Sequence, residues 1–127
     1  AELDDLTVPA WISVTVSLGT LRSGEDLAEA FAAAAAPASV VAVGVNCSAP
    51  AEVLGAIRIA RSVTDKPIVA YPNSGEEWDA KNGSWVGRPG FPETLVDSWL
   101  DAGATLIGGC CRVGPEQIRR IAAAVRS

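Results

Sequence analysis

Residues 103–121 read GATLIGGCCRVGPEQIRRI, and they hold one complete structural unit. The apolar run over 104–108 is continuous rather than alternating, as in a strand buried on both faces of a parallel sheet. Gly108 and Gly109 close it, Cys110 and Cys111 follow, and Pro115 with Glu116 opens a helical pattern over 115–127. Proline is preorganised for the first helical turn, and an acid there suits the helix dipole. The unit is therefore β then α, with two thiols delivered at the carboxyl end of the strand.

Working back along the chain, the same unit recurs three times. Strand-like runs lie at 10–16, 40–46 and 67–71, and helical patterns at 25–35, 50–63 and 92–102, giving the order βαβαβαβα. Pro50 with Glu52 and Pro92 with Glu93 repeat the helix-start signal. Val53, Ile57 and Ala60 share one face of the second helix, and Ile118, Ile121 and Val125 one face of the last, so each helix is expected to pack on the sheet with one side. Four such units without a sign of reversed strand order fit half of an eight-fold barrel, which takes about 250 residues when whole. They also fit a small doubly wound sheet, and periodicity leaves both open. Trp11 and Trp99, on a strand and on a helix face, are expected in the core. The long connection over 72–90 carries Trp78 and Trp85 among Glu76, Glu77 and Asp79, and a loop of that length is a candidate functional loop. Glu76 and Glu77 are read as solvated charges.

The 127 residues are 49% hydrophobic and 20% charged, the composition of an ordinary globular protein, and at this length one domain over residues 1–127 is the limit. Fifteen acidic against ten basic residues give a net charge of -5, with no basic cluster beyond Arg119-Arg120. Nucleic acid and anionic membrane surfaces are thereby disfavoured as partners. The longest apolar run, over 31–37, is far short of the ~20 residues of a membrane span. No secretory pattern opens the sequence, so the expected location is cytoplasmic. The opening residues, without methionine, read as the tail of an element already under way, and the chain is expected to be part of something longer. There is no histidine, which removes Ser-His and Cys-His nucleophile pairs and imidazole metal ligands.

Cys47, Cys110 and Cys111 remain. An odd number with two adjacent is a poor disulfide framework, and reduced thiols are expected. Redox use of Cys110-Cys111 is disfavoured because a vicinal pair lacks the usual two-residue spacer. Cys47 ends the run Gly44-Val45-Asn46-Cys47, so all three sulfurs are expected at one edge of the sheet. Three cysteines without histidine describe a thiolate zinc site with a vacant fourth position. Free cysteine also serves as a small buried hydrophobe, and the residues alone leave the two readings side by side. Asn46, beside Cys47, is placed to bond a substrate, to orient the cysteine or to cap backbone, and Asn73 is open in the same way.

The segments GVNCSAP (44–50), PIVAYPNSGEEWD (67–79) and GATLIGGCCRVGPEQIRRI (103–121), with AWISVT (10–15), resemble the homocysteine S-methyltransferase family from end to end of the chain. The resemblance implies a (β/α)8 TIM barrel of which this chain is the C-terminal half, about strands five to eight. It implies a catalytic Zn2+ on Cys47, Cys110 and Cys111, and transfer of a methyl group from a sulfonium donor to the thiolate of homocysteine, giving methionine. Tyr71 to Glu76 followed by Trp78 looks most like the branch that uses S-methylmethionine or S-adenosylmethionine. Trp78 or Trp85 then offers an aromatic face to the cation, or else merely anchors the loop to the rim. The glycine-rich and acidic segments that help the family hold homocysteine belong to the first four strands. The chain is thus expected to need its N-terminal half or a second copy, since a half-barrel exposes two sheet edges. The alternative is a truncated zinc-binding module with no activity of its own.

Overall fold

The protein is described by a computed structural model covering residue 5, residues 7–87 and residues 94–127. Its centre is a four-stranded sheet of β1 (Ala10–Val14), β4 (Val40–Asn46), β5 (Ile68–Tyr71) and β8 (Ala104–Ile107), parallel throughout and lying in sequence order. Two short hairpins stand apart from it, β2 (Val16–Ser17) with β3 (Thr20–Leu21) and β6 (Glu77–Asp79) with β7 (Ser84–Val86). Four helices connect or follow the strands: α1 (Leu27–Ala35), α2 (Pro50–Val63), α3 (Thr94–Ala102) and α4 (Pro115–Arg126). The predicted second strand and second helix coincide with β4 and α2. The expected helix start at Pro92 and Glu93, and the last part of the 72–90 connection, lie outside the described residues. A doubly wound sheet reverses its strand order at a switch point, and this sheet does not.

The helices cover one face of the sheet. Val43, Val45, Ile68, Ala70 and Ala104 point to that side and meet Leu27 and Phe31 of α1, Val53, Ile57 and Ala60 of α2, Val96 and Trp99 of α3 and Ile121 of α4 in one buried cluster. The face shared by Val53, Ile57 and Ala60 is wholly buried, as the helical spacing predicts. Both ends of α1 are satisfied locally. The Asp26 side chain accepts from Glu29 N at the start of α1, and Lys66 Nζ donates to the carbonyls of Ala35 and Pro37 at its end. On α4 the expectation holds only for Ile121, because Ile118 and Val125 are 43% and 40% exposed. That helix packs on α3, and no described element lies along its other flank.

The opposite face carries Trp11, Ser13, Gly44, Val69, Tyr71 and Leu106, aligned by the strand register. Trp11 is 57% exposed and Leu106 51%. The expectation that Trp11 lies in the core therefore fails, while Trp99, fully buried, meets it. The physical reason is that an apolar run says a strand is buried on two faces without saying by what, and among the described residues nothing covers this one. A groove of about 330 Å³ runs along it between Trp11, Tyr71 and Leu106. Ser13 and Tyr71 hydroxyls meet across it at 2.5 Å.

Gly44 is required on this face. A Cβ built there would overlap the carbonyl oxygen of Val69 and stand 2.9 Å from its Cβ. Gly44→Ala must push β4 from β5, and overpacking of this kind costs about 1–3 kcal/mol. The expected result is a thermal midpoint lowered by roughly 4 °C for each 1 kcal/mol, followed by circular dichroism; an unchanged midpoint would refute the close approach.

The first strand is shorter than the predicted 10–16, since Val16 begins the β2–β3 hairpin. Leu18 (φ 52°) and Gly19 (φ 79°) form its tip, and positive φ at both central residues is what a two-residue hairpin turn demands. Leucine is a poor residue for that conformation. The Glu52 carboxylate at the start of α2 compensates by accepting from both tip amides, at 3.0 and 3.2 Å.

Candidate metal centre

The carboxyl ends of β4, β5 and β8 lie side by side, and each strand end supplies part of the site. β4 runs directly into Cys47, which takes a left-handed φ of 49° and donates its amide to Tyr71 O at the end of β5. The chain turns there because Ser48, buried at 2% exposure, ties the corner together. Its hydroxyl donates to Asn46 O and accepts from Val16 N, both at 2.9 Å. β8 leads through Gly108 and Gly109 to Cys110, whose amide donates to Pro72 O at 2.8 Å. Gly109 is needed because a Cβ there would collide with the side chain of Val113.

The three cysteines predicted to converge do so. Their Sγ atoms all lie within 4.8 Å of one another, and those of Cys110 and Cys111 are 4.0 Å apart. Tetrahedral Zn–S bonds of ~2.3 Å put ligand sulfurs ~3.8 Å apart; three thiols suit a soft divalent metal in chemistry and the Cys110–Cys111 separation suits one in spacing, whereas Cys47 and Cys110 stand closer and would have to part to admit it. Cys47 and Cys110 are half-buried and Cys111 is exposed. Cys47 and Cys110, on different strand ends with a Cα separation of 5.6 Å, bring their sulfurs closest together, and Cys111 stands beside them.

Asn46 lies at the site as predicted, and its Nδ2 stands 3.5 Å from Cys47 Sγ as a donor. Trp78 lies on the β6–β7 hairpin opposite Trp85, ring centroids 5.5 Å apart in an edge-to-face contact. The pair is the small core of its own hairpin, and Trp78 remains 54% exposed. Glu77 is exposed, as expected for a solvated charge, but Glu76 is not one. Its side chain is only 11% exposed, accepts from Arg112 Nε at 3.2 Å and from Ser74 Oγ at 2.9 Å. The Arg112 guanidinium first, then the Ser74 hydroxyl, hold the carboxyl below its ordinary value.

A carboxyl so lowered contributes stability that is complete above the unfolded pKa of about 4.3 and is lost as pH falls through the folded value. Acid unfolding of Glu76→Gln is therefore expected to show less pH dependence below about pH 5 than the parent. Superimposable stability-against-pH curves would deny the ion pair its role.

The segment that binds these pieces together is Pro72 to Glu76, which the sequence placed in a candidate functional loop with the role of Asn73 left open. Asn73 N donates to Ser48 O at 2.9 Å, Ser74 N to Cys111 O at 3.0 Å, and Asn73 Oδ1 accepts from Cys111 N at 3.2 Å. Ser74 is completely buried. The signal was present: proline, asparagine, serine and glycine in succession after a strand are residues that bond backbone in turns.

The family model described as homocysteine S-methyltransferase matches residues 1–125. Homocysteine S-methyltransferase 3 of Arabidopsis thaliana is 43% identical over 126 residues, which is 95% of this chain and 36% of that protein. Homocysteine S-methyltransferase 4 of Zea mays is 45% identical over 131 residues, 98% of this chain and 38% of the relative. Selenocysteine Se-methyltransferase of Brassica oleracea var. italica is 41% identical over 119 residues. The metallated form of the homocysteine methyltransferase MmuM from Escherichia coli superposes with a TM-score of 0.74 at 34% identity, and the oxidized form with 0.70; in both, 94% of this chain and 36% of MmuM are covered. The chain thus spans a little over a third of the length of the relatives it matches. With the parallel sheet and its converging cysteines, these matches mean that the chain belongs to the homocysteine S-methyltransferase family.

Proposed function

We propose that this chain, as one domain over residues 1–127, is the C-terminal half of a (β/α)8 barrel, about strands five to eight. In our reading the whole barrel transfers a methyl group from S-methylmethionine or S-adenosylmethionine to homocysteine. The observation that carries it is the convergence of Cys47, Cys110 and Cys111 within 4.8 Å at the carboxyl edge of a parallel sheet, the edge where barrels keep their sites. The sequential strand order and the open apolar face with Trp11 and Leu106 support the half-barrel, since such a face needs an upstream half or a second copy to cover it. The proposal places the protein in the cytoplasm, where thiols are kept reduced.

In this reading Cys47, Cys110 and Cys111 would hold zinc beside the homocysteine thiol. When bound there, zinc supplies the Lewis acidity that lets the thiol ionise at neutral pH without a protein base. The chain accordingly needs no histidine at the sulfur. Asn46, donating to Cys47 Sγ, fixes that ligand and lies at the mouth where substrate enters. The homocysteine sulfur attacks the methyl carbon in line; its lone pair forms the new C–S bond, and the electrons of the breaking bond stay on the donor sulfur, which leaves as a neutral thioether. No net proton movement is required at that step. Trp78, 54% exposed on β6, presents an aromatic face suited to a sulfonium.

The test is methionine formation from homocysteine and S-methylmethionine by the longer protein carrying this chain, abolished by chelation and restored by zinc. Trp78→Ala in that protein is expected to raise the KM for the donor about 2–30-fold, the equivalent of the ~0.5–2 kcal/mol of a cation–π contact, with the KM for homocysteine unchanged. Equal changes in both would assign the tryptophan to the rim of the loop alone.

A further inference from the structure

We infer that Asn73 is a positioning residue for Cys111, setting the third thiol against the other two; this rests on the reading of the three cysteines as zinc ligands. Cys47 and Cys110 are held by backbone hydrogen bonds to the end of β5, through Tyr71 O and Pro72 O. Cys111 lies one residue further from the sheet, is exposed, and precedes Arg112 in a left-handed conformation at φ 66°. What fixes it comes from one short segment. Its amide donates to Asn73 Oδ1 and its carbonyl accepts from Ser74 N, so the Cys111 residue is bonded on both sides by consecutive residues. Arg112 is held in turn by Glu76.

Asn73 also reaches the other ligand loop. Its own amide donates to Ser48 O, one residue past Cys47. A single residue therefore spans the gap between Cys47 and Cys111, which are 64 positions apart in the chain, and Ser74 beside it is packed with no exposure. The side chain is suited to the place because its oxygen accepts without adding charge. A carboxylate there would stand beside three thiolates, whereas the one carboxylate in the segment, Glu76, is turned away to Arg112.

The test uses the full chain, reduced, with zinc affinity measured by chelator competition and ligand geometry by the sulfur-to-metal charge-transfer absorption of the Co2+ form. Asn73→Ala is expected to keep one metal per chain but to bind zinc about 10–100-fold more weakly, as loss of a partner that orients a ligand does, with an altered Co2+ spectrum. Asn73→Asp, which keeps the accepting oxygen but adds a charge beside the thiolates, is expected to recover the parent spectrum, which reads ligand geometry, though not the parent affinity. A role in folding alone would instead lower the metal-free thermal midpoint and leave affinity and spectrum as they were, and that result overturns the inference. If Asn73→Ala does not fold, Asn73→Ser set against Asn73→Asp makes the same comparison. A parent chain that takes up no zinc would fail the ligand reading itself and this inference with it, whereas a zinc-binding parent matched by its Asn73 variants would fail this inference only.

Discussion

Serine at Cys47, Cys110 or Cys111 is expected to remove zinc from the reduced chain, from one ion to essentially none by elemental analysis at micromolar protein. The three sulfurs lie within 4.8 Å of one another and no histidine exists in the chain to replace one. Each is thus a third of the protein's donor set, and a serine hydroxyl does not ionise at neutral pH to take its place. The loss should exceed the 10–100-fold that follows removal of a mere orienting partner. Metal binding requires deprotonated thiols, so a chain in which two of the three are oxidised to a disulfide is expected to bind none until it is reduced. Zinc retained at full stoichiometry by Cys47→Ser would show that the convergence of β4 and β8 does not make a metal site. Retention by Cys111→Ser alone would remove the exposed cysteine from it.

Alanine at Trp99 is expected to cost about 3–5 kcal/mol, the range for deleting a buried aromatic, against a total stability of about 5–15 kcal/mol for a domain. Trp99 is fully buried and, with Val96, supplies the buried side chains of α3. Alanine at Trp11 is expected to cost less than about 1 kcal/mol in this chain, as for other exposed sites, because Trp11 is 57% exposed. Denaturant unfolding of the two variants checks the contrast directly. The same Trp11 substitution in a longer protein that covers the open face should cost several-fold more. An equal, small cost in both would argue against the half-barrel.

Most of the scaffold was legible because each signal was local. Pro50 with Glu52 and Pro115 with Glu116 announced helices that start at those prolines, and the run from Val40 to Asn46 announced a strand of those limits. The β2–β3 hairpin was not legible, since its turn places a leucine at positive φ and depends on a carboxylate 34 positions away at Glu52. Glu76 likewise reads as a surface charge until Arg112 is brought against it from beyond β8.

The sequence by itself determined the alternation of strands and helices, the absence of histidine from these 127 residues and the delivery of three cysteines to strand ends, because composition and short-range pattern carry all of these. Only the tertiary structure decided that the strands keep sequential order, that one face of the sheet stays open at Trp11, and that Cys47 meets Cys110 while Cys111 is held by Asn73. Those outcomes depend on residues tens of positions apart sharing one edge of a sheet. Pairing of that kind is fixed by the register and packing of whole strands, which no local pattern in the chain encodes.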